Sequence, residues 1–514
     1  MRARTLALLS ALAVGVLMLL AFALLPTRPF VADDFQWLLG ARNLALGDML
    51  GSAFSLDQNH FYRPLVWVMF WLEEKLFGLD ARGYHAISLG LHWANAVLLG
   101  WLVYRLPIAG ISSIRMQAAI LAGAIVALHP APFEAVVWVS AQSELLAAFW
   151  LLLMLHAFVG NSALSPQPSA LSRGLLVLLL LTLALLTKES AIIGLPLLVL
   201  LGVWRWTGAP RPGASRPGAS RPGASRPGAE APGYWVGLFV YLGACLITLG
   251  YLALQLRLER ENYIVSQGGY GLGPQLVLNP LRSLGLLVAP LPGTERADAW
   301  WLPVVGAIIV IGLLTWFAAN FRRQSTISSL RSAIPALALA LTLLPTAPFA
   351  SPPDSRYLYL PVMAAALLAV ALLARFGAIC RPGAISRPGA ISRPGAEAAG
   401  YWVVVASSGG ALLVLLLFAA ELRAREVRFA VASGADGSLF RVVATRCAAR
   451  PTDRVIVLNP PIAEVHARAI LDLACGSTIT PIFVETLELA EANLERDSIV
   501  VAFPSGSAQM IREP

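Results

Sequence analysis

Asp33 and Asp34 stand side by side in VADDFQWL, a few residues after an apolar run. Adjacent carboxylates beside a membrane surface can act as a general base or hold a divalent cation such as Mg or Mn. They can equally cap the amphipathic helix that FQWLLGARNLALG would form. Four more polar clusters interrupt apolar sequence. The second runs from HFYRPL, with His60, Tyr62 and Arg63, into YHAISLGLHWANAVLLG, with His92 and Asn95. An arginine before a proline can bind phosphate or pair with a carboxylate. His92 and Asn95, three apart, share a helix face, where they could also serve as helix–helix hydrogen bonds. The third, LHPAPFEAVVWVSAQSELLAAF, contains His129, Glu134, Gln142 and Glu144. The fourth, LLTKES, sets Lys188 and Glu189 between two apolar helices. Charges there are costly unless they meet an interface or a polar cavity. The fifth, SPPDSRYLYLP, places Asp354 and Arg356 at the mouth of a helix.

Singly, each cluster reads as a capped loop, a packed polar residue or an ion pair. Together they suggest one cleft, with carboxylates on one wall and arginine and lysine on the other. A lipid-linked phosphate donor needs that division: cations hold the leaving phosphate while a carboxylate takes the proton of the attacking hydroxyl.

The elements that must position these groups are helices in a membrane. The chain has 514 residues, 57% of them apolar and 13% charged, and a mean hydropathy of +0.70. Soluble domains are near ~45–50% apolar and ~25% charged. An ordinary soluble enzyme, a disordered chain and a disulfide-stapled secreted module are excluded. Long apolar runs, rather than short alternating segments, point to a helical bundle and not a β-barrel. The net charge of +9 comes from arginines grouped between apolar runs, with Lys75 and Lys188 the only lysines. This is the positive-inside pattern of a membrane protein, not the footprint of a nucleic-acid partner.

Eleven spans are predicted, over 6–25, 86–106, 117–128, 142–159, 174–187, 190–204, 234–253, 301–319, 333–349, 357–374 and 401–420. Residues 276–292 are apolar but short, with Arg282 inside and prolines near both ends. Counting them as a full span would place Arg322, Arg323 and the Arg381–Arg393 run outside, so they read as re-entrant or interfacial. The N-terminus is then cytoplasmic. The first loop, 26–85, and every acidic, His- or Tyr-rich loop are extracytoplasmic. Two RPGAS-type repeats, within 207–233 and 376–400, read as disordered basic cytoplasmic loops, because Pro and Gly every few residues forbid a helix.

The tail, 421–514, changes character. RVIVL, ITPIFV and SIVVAF read as strands, and IAEVHARAILDLA as a helix. The expected fold is therefore an all-α polytopic bundle over 1–420 followed by a small extracytoplasmic α/β domain. Cys447 and Cys475 both lie in that domain, where they could pair.

The ordered motifs resemble the GT-C superfamily of membrane glycosyltransferases: a DD loop, YRPL, LHWANAVLL, LHPAPFEAV, LLTKES and RYLYLP over roughly residues 1–375. The nearest pattern is the branch of transmembrane and tetratricopeptide-repeat O-mannosyltransferases and their bacterial relatives. The resemblance implies transfer, with inversion, of a sugar from a polyprenyl-phosphate donor at the extracytoplasmic face. It places Asp33 and Asp34 in the acidic motif that holds the base, without saying which, and makes them the candidates for any metal. Lys188 and Arg356 fall to the donor phosphate, with Arg63; His60, Tyr62, His92, His129, Glu134 and Glu189 are further cleft candidates. The implied partners are the lipid-linked donor, membrane lipids and an acceptor that is a glycan, lipid or protein. The implied location is a cell membrane, the inner one of a bacterium. No tetratricopeptide array follows the last helix, which puts a protein acceptor in question. Two other readings stay open, a flippase or transporter of a lipid-linked glycan and a scaffold without activity. A transporter would be expected to show repeated halves and charges near the bilayer midplane.

Overall fold

The computed structural model describes residues 2–56, 61–106, 112–160, 170–208, 231–258, 268–294, 297–321, 326–379, 396–450, 452, 454–476 and 479–512. His60, the 211–230 repeat and 381–395 of the second repeat lie outside these residues.

The chain begins with α1 (Arg2–Ala21) and a first loop that folds into α2 (Asp34–Ala41), α3 (Leu46–Ala53) and α4 (Pro64–Phe77). Then come α5 (Ala81–Arg105), α6 (Ser112–Leu128), the short α7 (Phe133–Val137), α8 (Gln142–Val159), α9 (Ala170–Thr187), α10 (Gly194–Gly208) and α11 (Ala231–Leu258). The bundle closes with α12 (Gln275–Val288), α13 (Leu302–Phe321), α14 (Thr326–Leu343), α15 (Tyr359–Ile379) and α16 (Ala396–Ala432). Each of the eleven segments expected to span is helical, and 276–292 supplies α12.

Six helices among the described residues are long and apolar enough to cross a membrane: Ala81–Arg105, Val139–Val159, Ala170–Thr187, Gly237–Leu258, Leu302–Ala319 and Ser355–Ala374. α13 turns Val304, Ile308, Ile311 and Leu314 outward, and α11 does the same with Leu242, Leu246 and Leu249. An apolar exterior of this extent belongs in lipid. Inside, Leu145, Leu181, Ala184, Leu198 and Leu358 are fully buried in one continuous core.

Small residues let the first hairpin close. A Cβ on Gly100 would lie 2.8 Å from the Ala119 carbonyl oxygen, and one on Gly123 would lie 3.0 Å from that of Ala96. Ala96 and Gly100, and Ala119 and Gly123, are small residues four apart, the spacing that brings two membrane helices into backbone contact. α12 is two-faced: Asn279 and Ser283 are buried while Leu276, Val277 and Val288 are exposed. Asn279 Nδ2 donates to the Phe349 carbonyl at 2.8 Å.

α16 carries the chain past residue 421 to Ala432 before the tail proper begins. There α17 (Gly434–Ala449) precedes β1 (Arg454–Leu458), α18 (Glu464–Cys475), β2 (Thr480–Val484), α19 (Leu487–Ala492), β3 (Ser498–Ala502) and β4 (Gln509–Arg512). The sheet order is β2-β1-β3-β4, with β1 parallel to β2 and β3, and β4 antiparallel to β3. The small α/β domain is as expected; α17, α19 and β4 are additional to the three strands and one helix expected there. Cys447 and Cys475 form a disulfide, Cα–Cα 5.5 Å, that ties α17 to α18.

This domain is not a separate body. Val455, Val457, Ile499 and Val501 face one way along the strands and share a core with Phe35, Leu38 and Ala41 of α2 and with Phe70 of α4. Ile456 and Val500, alternating with them, face a second, smaller core. Arg42, just past α2, donates to the Leu473 carbonyl at 2.9 Å. The Phe35 and Phe440 ring centroids are 5.6 Å apart.

Candidate functional site

The acidic pair divides its work. Asp34 Oδ1 accepts from the Ser140 backbone N–H at 2.7 Å and from its hydroxyl at 2.5 Å. Asp34 Oδ2 accepts from the Val31 N–H at 2.9 Å. Ala32, at φ 49°, turns the chain tightly between them. Burial, with the Asp33 charge adding to it, pushes Asp34 up to about 8. Asp33 precedes the helix without capping it by its side chain, and its Oδ1 is buried with no hydrogen-bond partner. Burial raises its pKa, while Arg356 and, from α18, His466 pull it down. Asp33, Gln36 and Trp37 fall on one face of the first turn of α2 and line a cavity of about 320 Å³.

The same cavity is rich in cations. It is also lined by Arg63, Lys188 and Arg356, together with Phe61, Trp138, Ser140, Ser143 and Tyr357. Each cation is held by a carboxylate from another segment or a neighbouring residue. Arg63 makes a two-pronged contact to Glu189, Nε to Oε2 at 2.8 Å and Nη2 to Oε1 at 2.6 Å. Lys188 pairs not with its neighbour but with Glu144, at 2.8 Å, and both are nearly fully buried. Arg356 pairs with Asp354 at 2.8 Å. Burial raises Glu189, but Arg63 and Lys188 outweigh it and hold the carboxyl below its ordinary value. The rings flatten against the cations: Arg63 lies 4.5 Å from the Phe61 centroid, Arg356 4.5 Å from that of Trp138 and Lys188 5.2 Å from that of Tyr357. An arginine carries five donors and a lysine three, so these pairs leave donors for a phosphate.

Four of the residues expected to act together, Asp33, Arg63, Lys188 and Arg356, thus meet in one cavity. Others support its walls. Glu189 clamps Arg63. Glu134 Oε2 accepts from the Arg356 N–H at 3.3 Å while its own N–H donates to Ser355 Oγ at 3.3 Å. The rest lie elsewhere. His92 is buried between helices, against the Tyr359 hydroxyl at 2.8 Å. His129 bonds to the Leu287 carbonyl at 2.9 Å and accepts from the Ala131 N–H. Tyr62 is buried, its carbonyl accepting from Gln255. Trp37 and Trp67 also line the cavity, beyond the residues expected there. The signal was present: each follows a suspected charge by four, Asp33 and Arg63. His466 and the Glu144 partnership are contacts between distant segments and left no local trace.

Lys188 and Arg356 face one cavity, so the chain crosses the membrane an even number of times between them. α10, α11, α13 and α14 lie between, with α12 as a fifth helix. If those four cross, α12 does not, which accords with reading 276–292 as re-entrant or interfacial. Among the described residues, no group of three or more His, Cys, Asp or Glu is arranged to hold a metal ion. Asp34 already receives three donors, which leaves Asp33 as the carboxylate of the pair open to the cavity.

No protein-family model matches the chain. Over 154 residues it is 28% identical to protein O-mannosyl-transferase F38B6.6 of Caenorhabditis elegans, a match covering 30% of this chain and 20% of that protein. The chain thus aligns with about a fifth of that relative's length. This match supports the resemblance to the GT-C glycosyltransferases. Among solved structures, the Archaeoglobus fulgidus oligosaccharyltransferase in its apo form aligns with a TM-score of 0.48 at 12% identity, over 93% of this chain and 64% of that one. ArnT from Cupriavidus metallidurans bound to undecaprenyl phosphate aligns with a TM-score of 0.45 at 14% identity, over 97% and 93%.

Proposed function

We propose that this protein is a membrane glycosyltransferase of the GT-C type. It moves a hexosyl unit, mannose-like, from a polyprenyl-phosphate donor to an acceptor hydroxyl at the extracytoplasmic face, with inversion. One observation carries the reading: a carboxylate with an unpartnered buried oxygen, Asp33, shares a cavity with Arg63, Lys188 and Arg356. The ordered motifs and the O-mannosyl-transferase match support the sugar and donor class.

In this reading the acceptor oxygen attacks the anomeric carbon as the bond from that carbon to the phosphate oxygen breaks. Asp33 takes the acceptor proton, and the polyprenyl phosphate leaves with the bonding pair. The three cations stabilise the charge that builds on the departing phosphate. Asp34 holds the loop that presents Asp33, and Glu134 fixes the segment that presents Arg356. The test is transfer of label from polyprenyl-phosphate mannose to a membrane extract by purified protein. The wild type is expected to transfer and Asp33→Asn is not; equal transfer by both would overturn the assignment. Movement of labelled donor across proteoliposomes without any acceptor product would favour the flippase.

A further inference from the structure

Five aromatic side chains line the cavity, and they fall into two sets. Phe61, Trp138 and Tyr357 each carry a cation on the ring: Arg63 on Phe61, Arg356 on Trp138, and both Lys188 and Arg356 on Tyr357. Trp37 and Trp67 carry none of the described cations. They form a corner of their own beside Asp33, with ring centroids 5.0 Å apart and planes at 66°.

That corner is held rigidly. Phe70 stacks on Trp37 at 5.3 Å and 12°. Trp67 lies against Gly40, where a Cβ would come within 2.7 Å of the indole. Side chains fixed in this way lose little entropy when a ligand docks. Gln36, between Asp33 and Trp37 on the same helix turn, adds an amide that both donates and accepts.

Two angled indoles, an amide and a carboxylate match one chemistry well. A pyranose ring has an apolar C–H face and a rim of hydroxyls. Its face packs on an indole by burial and dispersion, while its hydroxyls reach Gln36 and Asp33. A seryl or threonyl hydroxyl on a peptide brings no such ring, and would leave the two indoles without a flat apolar partner.

We infer that the Trp37–Trp67 corner is an acceptor subsite for a sugar ring, so that the hydroxyl receiving the transferred unit belongs to a carbohydrate rather than to a polypeptide. This rests on the transferase reading for its catalytic meaning; the binding site itself does not. The sugar sits with one hydroxyl toward Asp33, in the same cavity as the cations assigned to the donor phosphate.

The test is direct binding, in a detergent without a sugar headgroup. Methyl mannopyranoside, methyl glucopyranoside and methyl galactopyranoside are titrated against the full-length protein by saturation-transfer NMR, with a Ser/Thr-rich peptide as comparison. Trp37→Ala and Trp67→Ala, with Trp37→Phe as the conservative variant, are measured beside the wild type. Retained binding of polyprenyl phosphate shows that each variant is folded. At least one pyranoside is expected to bind, tenfold or more weakly in the alanine variants and intermediately in Trp37→Phe, while the peptide does not compete. No pyranoside binding, binding unchanged in folded alanine variants, or competition by the peptide would overturn the inference. Failure of the transferase reading is separate: pyranosides would still bind at the corner, but no label would leave the donor for any acceptor.

Discussion

Asp34 and Ser140, 106 residues apart in sequence, are joined twice: the backbone N–H and the hydroxyl of Ser140 both donate to Asp34 Oδ1. This latch binds the loop after α1 to the segment before α8 and separates two carboxylates that the sequence alone leaves equivalent.

Asp33→Asn and Asp34→Asn should therefore fail differently. Removing a general base costs on the order of 100- to 10,000-fold in rate, so Asp33→Asn should lose transfer with little change in unfolding temperature. Asp34→Asn keeps one acceptor oxygen but turns the other into an NH2 that faces a donor, Val31 N–H or Ser140. It should lower stability by about 1–3 kcal/mol and reduce activity only in proportion to the misplaced loop. Thermal unfolding in detergent beside single-turnover transfer separates the two.

The acid limb of the pH–rate profile should report Asp33. A base works ionised, so the rate should rise as Asp33 loses its proton. Burial sets that midpoint above the ordinary aspartate value of 3.8, with Arg356 and His466 opposing the rise. Arg356→Gln and His466→Ala each remove an opposing charge, so each should move the limb to higher pH. An unchanged limb in His466→Ala would show that the tail does not act on the base.

Glu73 gives a pH dependence of stability with the opposite sign to an ordinary salt-bridged acid. It is 3% exposed, its carboxyl oxygens lack partners among the described residues, and burial, with Asp34 adding and Gln142 opposing, pushes it up to about 8. The folded state then holds a proton that the unfolded chain releases near 4.5. Its contribution is complete below that pH and is lost as pH rises toward 8. Glu73→Gln should flatten the fall in unfolding temperature between those limits.

Breaking the Lys188–Glu144 pair should be structural as well as functional. Lys188→Met leaves a buried carboxylate unpaired, at a cost of about 3–5 kcal/mol. Adding Glu144→Gln should restore most of the stability without restoring transfer. Recovery of both would remove Lys188 from the phosphate site.

The disulfide reports the compartment. Cys447 and Cys475 are 28 residues apart, and a crosslink closing such a loop contributes roughly 3–4 kcal/mol in the chain-entropy account. Both thiols should resist alkylation in protein isolated from intact cells if the tail is extracytoplasmic. Full labelling without reductant would place the tail on the reducing side.

Much of this site was legible because a membrane forces the issue. Charge is so costly at depth that Asp33, Arg63, Lys188 and Arg356 stand out against apolar sequence, and a shared side of the bilayer draws them together. The four strand and helix segments of the tail were legible from their periodicity. What stayed hidden was pairing. LLTKES places Lys188 beside Glu189, yet the fold sends one to Glu144 and the other to Arg63, because the short turn after α9 points them apart. Equally, His92 looked chemical and is a helix–helix bond, since a buried imidazole satisfied by Tyr359 has the same sequence signature as a ligand.

The sharing of one core by α2 and the tail has a consequence for biosynthesis. Arg42 and Leu473 are 431 residues apart, so the ribosome delivers the first loop long before its covering surface exists. Until then Phe35, Leu38 and Ala41 have Phe70, Tyr84 and Val139 to pack on but not Val455, Val457, Ile499 and Val501. A product cut near 425 would keep the Asp34–Ser140 bonds but leave bare the apolar side of α2 that the strands of the tail cover, so its first loss would be in solubility and resistance to proteolysis.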